Sequence, residues 1–230
     1  MPCYQIVIKV IENMAPALAT LAAAFFGAKY AFKLQDGNAR RESDSRNVRA
    51  ANLVIFDLVR SYNMFTTVKK QFIDQHRENA ERHLLIMPIA GVSFQPPRFD
   101  YDAISFLFNS NPNLLGTLST VEQEIASTLD VIRQRSTMHV EVLQPAVETL
   151  AKRFGDKFNS AQIEAALGPR IAITLRTSTT YMIEGIERVI LECGRHIELL
   201  RSETQKAYPG HKVIGMLAPA TSLPNTRLEE

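Results

Sequence analysis

An uncharged run, MAPALATLAAAFFGA at residues 14–28, constrains this chain more than any other feature. No acid or base interrupts it for 15 residues. If the long stems of Lys29 and Lys33 carry their ammonium groups out to a headgroup layer, the run extends to Leu34. That makes 21 residues, and a membrane span takes about 20 at ~1.5 Å rise each. Every fourth residue is small: Ala15, Ala19, Ala23, Gly27 and Ala31. A stripe of this kind lets two helix backbones approach closely. At ~100° per residue, Lys29 and Lys33 fall on the side away from the stripe. The expectation is a transmembrane helix over 14–34 that packs on another span through its small residues.

Two other readings compete. A secretory signal peptide needs a positive leading segment, but residues 1–13 carry only Lys9, offset by Glu12. Cleavage after Ala22-Ala23-Ala24 would also leave FFGAKYAF at the new terminus. The third reading is a buried first helix of a soluble bundle. The flanks favour a span with a direction. Residues 29–49 hold Lys29, Lys33, Arg40, Arg41, Arg46 and Arg49 against Asp36, Glu42 and Asp44. Lys and Arg mark the cytoplasmic side, so the N-terminus is expected outside and the bulk of the chain in the cytoplasm. Lys29, Lys33, Arg40 and Arg41 are then the candidates for lipid-headgroup contact. A solvated helix face with local ion pairs would use the same residues.

Beyond residue 34 the pattern is helical and amphipathic. Ala51, Ile55, Leu58, Tyr62, Phe65, Val68 and Phe72 recur at 3–4 spacing, which predicts one long helix to about His83. Gly37 is the one place where this helix could part from the span. LLIMPIAGVSFQPPRFD, residues 84–100, holds three prolines and a glycine and reads as an extended connector. A short helix follows, with Asp100 or Asp102 able to cap it, then the turn NSNPN. A second long helix is expected over 114–154, kinked or divided at Pro145. A third is expected from about 160 to 208, capped by Asn159 or Ser160 and dented at Gly168-Pro169. Pro209-Gly210 ends it. The segments are thus 1–13, the span 14–34, a helical bundle 35–208 and an irregular tail 209–230.

The short loop near residue 157 implies an antiparallel hairpin. Pairing residues about that centre sets Ser136 against Ser178 and His139 near Thr174 and Leu175. These four polar residues, Ser136, His139, Thr174 and Ser178, form a candidate layer within the apolar stripes. One reading is a small pocket with His139 as its titratable group. The other, which we favour, is a layer that fixes helix register. No acidic partner accompanies His139 there, which argues against acid–base chemistry.

Composition narrows the function further. With 230 residues, 46% hydrophobic and 22% charged, the chain is globular rather than disordered. A net charge of +2 supplies no general field for nucleic acid. Cys3 and Cys193 are too few for a disulfide framework. His76 and His83 lie ~10 Å apart along a helix, too far to share one ion. Glu192 with His196, and Cys193 with His196, lack the second ligand pair that a structural metal takes. The chain contains no phosphate-binding glycine loop, nucleophile elbow or zinc-protease signature. No metal, cofactor or enzymatic activity is therefore expected.

FFGAKYAFKLQD, RNVRAANLVIFDLVR, NPNLLGTL and LQPAVETL together resemble a group of uncharacterised bacterial proteins with a span near the N-terminus and a helical cytoplasmic part. The resemblance runs over most of the chain. It implies attachment to a bacterial inner membrane and carries no activity or site residues. The combined expectation is an all-α protein: one span, then an antiparallel bundle of three long helices plus a short one. Its expected role is a membrane-anchored interaction or scaffold module, self-associating or an accessory subunit of a larger membrane complex. A sensor or regulator that uses the polar layer is the alternative.

Overall fold

The computed structural model describes residues 3–89, 95–155 and 157–215, with side chains from Thr20 onward except those of Ala22 and Asn109. Ala15 and Ala19 of the small stripe, and the tail from residue 216, therefore lie outside what is described. All regular structure among the described residues is helical. The helices are α1 (Cys3–Val68), α2 (Arg82–Leu85), α3 (Pro112–Met138), α4 (Gln144–Phe154), α5 (Ser160–Leu167) and α6 (Pro169–Ala207). A wide π-turn, Lys69–Ile73, ends α1, a second, His139–Leu143, joins α3 to α4, and Ser105–Asn109 form a 3₁₀ turn.

By its internal contacts the chain divides into two units, Met1–Asn47 and Val48–Glu230. In the first, α1 continues through Gly37 without a break. One glycine costs a helix interior about 1 kcal/mol, which neighbouring Leu, Lys, Gln and Ala residues can carry. Leu21, Phe25, Phe26, Tyr30, Phe32 and Leu34 are each more than half exposed. Among the described residues no helix is long and apolar enough to cross a membrane.

The second unit holds the core. Ala51, Ile55, Leu58 and Phe65 are fully buried along α1, at the spacing their periodicity requires. After Val68 the buried residue is Ile73, not Phe72. The π-turn inserts one extra residue and so rotates the stripe by one position. The chain then turns through 74–81, and α2 begins where a continuing long helix was expected. Phe99, Ile104 and Leu107 close one side of the core. The expected short helix is a 3₁₀ turn, with Asp100 Oδ1 accepting from the Ala103 N–H at 3.1 Å ahead of it.

Helices α3 and α6 pack extensively on each other. Leu118, Ile125 and Leu129 meet Met182, Ile186, Val189, Cys193 and Ile197 in one cluster. Burying each such leucine stabilises the fold by ~1.5–3 kcal/mol. Thr128 lies against Gly185, and Arg135 reaches Thr179. These are the residues that a hairpin centred near 157 brings together. The hairpin is more divided than expected. Pro145 lacks an N–H and its ring crowds the carbonyl four residues back, and the wide turn His139–Leu143 lies immediately ahead of it. Gly168 takes φ +77°, a conformation that side chains rarely adopt, and separates α5 from α6. Asn159, one of the two expected caps, holds the start of α5 through a reciprocal pair with Gln162.

Pro209-Gly210 follows α6, and residues 209–215 are irregular. They are nevertheless held: the Asn52 side chain donates to Lys212 O at 3.3 Å and accepts from the Ile214 N–H at 2.9 Å.

Candidate functional site

Arg135 sits three residues beyond Ile132 on the inner stripe of α3, so helix geometry sends its side chain into the core. It is fully buried. Its guanidinium donates to backbone carbonyls: Met87 O at 3.0 Å, His83 O at 3.3 Å, and Ile86 O. A longer bond, 3.4 Å, reaches Thr179 Oγ1. No carboxylate contacts it among the described residues.

The carbonyls explain how a buried cation survives without an anion. Helix α2 is one turn long, and a helix end leaves its last carbonyls unsatisfied and partially negative. The guanidinium fork supplies five N–H donors in a fixed plane and can take several carbonyls at once. Burial lowers the Arg135 pKa to about 10, so it stays charged at neutral pH. The arrangement clasps residues 83–87 onto α3 and α6.

His139 lies one turn further on and opens the second π-turn. It is buried, its Nδ1 has no hydrogen-bond partner among the described residues, and its pKa is pushed down to about 4. Burial is the larger cause and the nearby Arg135 charge the smaller. His83, whose carbonyl serves the clasp, places Nε2 2.8 Å from Glu164 Oε1. Arg176 Nη2 donates to the same oxygen at 2.6 Å. Arg176 first, and His83 second, hold the Glu164 carboxyl below its usual range.

The four residues of the expected polar layer are not bonded to one another. Ser136 Oγ accepts from the Ile89 N–H at 3.1 Å. Thr174 is exposed and bonds Arg170 O, and Ser178 bonds Leu175 O. The buried hydroxyl at this level is Thr179, which donates to Leu175 O at 2.7 Å. Sequence reasoning missed Arg135 because a lone arginine on an apolar stripe resembles one whose head escapes to solvent. Its spacing from Ile132 and His139 was the available signal.

Elsewhere, Lys29, Lys33, Arg40 and Arg41 are all exposed. Gly27 has no heavy atom within 4 Å of where a Cβ would stand, and Ala23 and Ala31 are exposed. Cys193 is buried beside Glu124 and Glu192, and burial foremost pushes its thiol up to about 12. Such a thiol is inert. No group of three or more His, Cys, Asp or Glu could hold a metal among the described residues.

No protein-family model matches this chain, and no curated protein or solved structure is similar to it.

Proposed function

We propose that the chain is a non-enzymatic, membrane-attached helical module. The N-terminal part of α1 is its anchor and the bundle is its interaction surface. One observation carries this reading: the large apolar side chains of residues 21–34 are exposed on two opposite sides of the helix. At ~100° per residue, Leu21, Phe25 and Phe32 share one side, and Phe26, Tyr30 and Leu34 share the other. A single groove covers only one stripe. Apolar groups on both sides of a helix suit a surrounding of lipid or of several other helices. The proposed segment begins at Met14, upstream of the side chains described. The basic residues that follow support an orientation with the bundle in the cytoplasm of a bacterium. Ala23, Gly27 and Ala31 offer a face for a second copy or for a larger membrane complex.

Alkaline carbonate extraction tests the anchor. The full chain is expected in the membrane pellet, and a chain lacking residues 1–35 is expected in the supernatant with its helical spectrum intact. A full chain that stays soluble overturns the proposal. In the pelleted protein, Gly27→Leu is expected to weaken crosslinking between copies, and unchanged crosslinking removes self-association from the reading.

A further inference from the structure

A cleft of about 420 Å³ opens between α3 and α6, at the end of the hairpin away from the Arg135 clasp. That is within the range of small-molecule sites, ~300–1,000 Å³. Two facing stripes build it. From α6 come Arg188, Glu192, Arg195 and His196, and α3 offers Thr117, Thr120 and Glu124. The floor is apolar, with Leu114 and Val121 almost fully buried beneath it.

The polar groups here are left over in an informative way. Glu192 and Arg195 stand three apart on one helix, a spacing at which opposite charges usually pair. They do not pair, and Arg195 has no hydrogen bond or ion pair among the described residues. The Glu192 carboxylate has only a long approach, 3.5 Å, to His196 Nδ1. His196 is 3% exposed, so its ring is fixed in the wall. Its Nδ1 lies 2.8 Å from Glu192 O. A carbonyl only accepts, so Nδ1 carries the proton and Nε2 presents a lone pair in the neutral ring. Nε2 has no partner among the described residues. The cleft thus offers a free cation, a nearly free carboxylate, a fixed acceptor and an apolar floor.

We infer that this cleft binds a free α-amino acid with an aliphatic side chain. Arg195 takes the α-carboxylate, and the Arg fork suits that planar anion. Glu192 takes the α-ammonium group, with His196 Nε2 accepting one of its N–H bonds. The side chain lies on Leu114, Val121 and Leu199. Arg188 is already committed to Glu124 at 3.4 Å, which leaves one charge of each sign for the ligand. The inference is independent of membrane attachment.

Titration calorimetry of the full chain in mild detergent tests it, with L-leucine, L-isoleucine and L-valine as probes. 4-Methylpentanoate, which is leucine without the ammonium group, and isopentylamine, which is leucine without the carboxylate, serve as comparison compounds. At least one amino acid is expected to bind saturably with Kd below about 1 mM, and each comparison compound at least tenfold more weakly. Glu192→Gln is expected to erase the preference for leucine over 4-methylpentanoate. Arg195→Gln is expected to erase the preference for leucine over isopentylamine. Both positions are at the surface, so the melting midpoints of these variants serve as the folding control. No saturable binding by any of the three amino acids at about 10 mM overturns the inference. So does 4-methylpentanoate binding as tightly as leucine, which reduces the cleft to a simple anion site.

Discussion

Residues 20–34 and residues 48–68 belong to one helix and obey opposite rules. In 48–68 one stripe of apolar side chains, Ala51, Ile55, Leu58 and Phe65, is lost from solvent completely, while Leu53 and Phe56 stand exposed on the far side. In 20–34 the apolar side chains lie on two opposite sides of the helix, and none of the six large ones is even half covered. Both stretches are rich in helix formers, so helix propensity does not separate them. Burial of one stripe in the common core does.

The largest expected effect is at Arg135, the most deeply buried charge of the second unit. Arg135→Met removes the cation but leaves the carbonyls of His83, Ile86 and Met87 buried without donors. The expected loss is about 4 kcal/mol, read as a drop in the urea midpoint. Arg135→Lys keeps the charge but not the fork, and is expected to lose about half as much. A methionine variant as stable as the parent would show that the clasp contributes no net stability.

Next come the paired truncations that set the two stretches of α1 against each other. Leu58→Ala in the core is expected to cost about 3 kcal/mol. Leu21→Ala, at 72% exposed, is expected to change bundle stability by less than about 0.5 kcal/mol while reducing retention in the membrane pellet. Equal losses of bundle stability would mean that residues near 21 have a covered face in solution.

His139 gives a smaller, pH-dependent effect. Its pKa falls from an ordinary 6.5 to about 4 on folding. Above pH 6.5 the ring is neutral in both states and the shift has no consequence. As pH falls through this window the unfolded chain takes up a proton that the folded chain refuses, so stability declines by about 3 kcal/mol. Below pH 4 the loss is complete. His139→Leu is expected to remove this decline, so its advantage over the parent in thermal unfolding grows from pH 7 to pH 4.5. An equal difference at both pH values would place the ring in solvent. A position whose protonation lies this far below neutral suits a register layer better than a sensor working near pH 7.

Much of the bundle was legible because one rule, burial at 3–4 spacing, operates over most of it. The pairing of α3 with α6 followed from the short loop and from the stripes of Ile125, Leu129, Met182 and Val189. What escaped was local. The π-turn at Lys69–Ile73 substitutes Ile73 for Phe72, and no residue type announces such a turn. Gly168 reads in sequence as a dent, yet its positive φ divides the helix outright. The polar layer was placed at the right height but on the wrong hydroxyl, since Thr179 rather than Thr174 turns inward. The clasp itself was invisible, because it depends on which carbonyls a one-turn helix leaves open. The α3–α6 cleft was half visible: the Glu192–His196 spacing was noted for metal and not for an organic ligand.

The smallest effect sharpens the comparison at glycine, where the two units answer one substitution differently. A Cβ at Gly185 would stand 2.9 Å from Thr128 Oγ1 and 3.2 Å from its Cγ2. Thr128 is buried and β-branched, so it has few rotamers into which it can retreat. The helix-propensity gain of Gly185→Ala, about 1 kcal/mol, is opposed by overpacking of roughly 1–3 kcal/mol. A net loss of about 1 kcal/mol is expected in denaturant unfolding. Thr128→Ala made together with Gly185→Ala removes both clashing atoms, and the pair is expected to be better than additive by about 1 kcal/mol. At Gly27 nothing lies within 4 Å. Gly27→Ala there meets no opposing contact and is expected to raise hydrogen-exchange protection of the surrounding helix by up to about fivefold. If Gly27→Ala instead lowers protection, its Cβ meets a neighbour that only the assembled protein provides. That result would identify the small stripe as a packed interface.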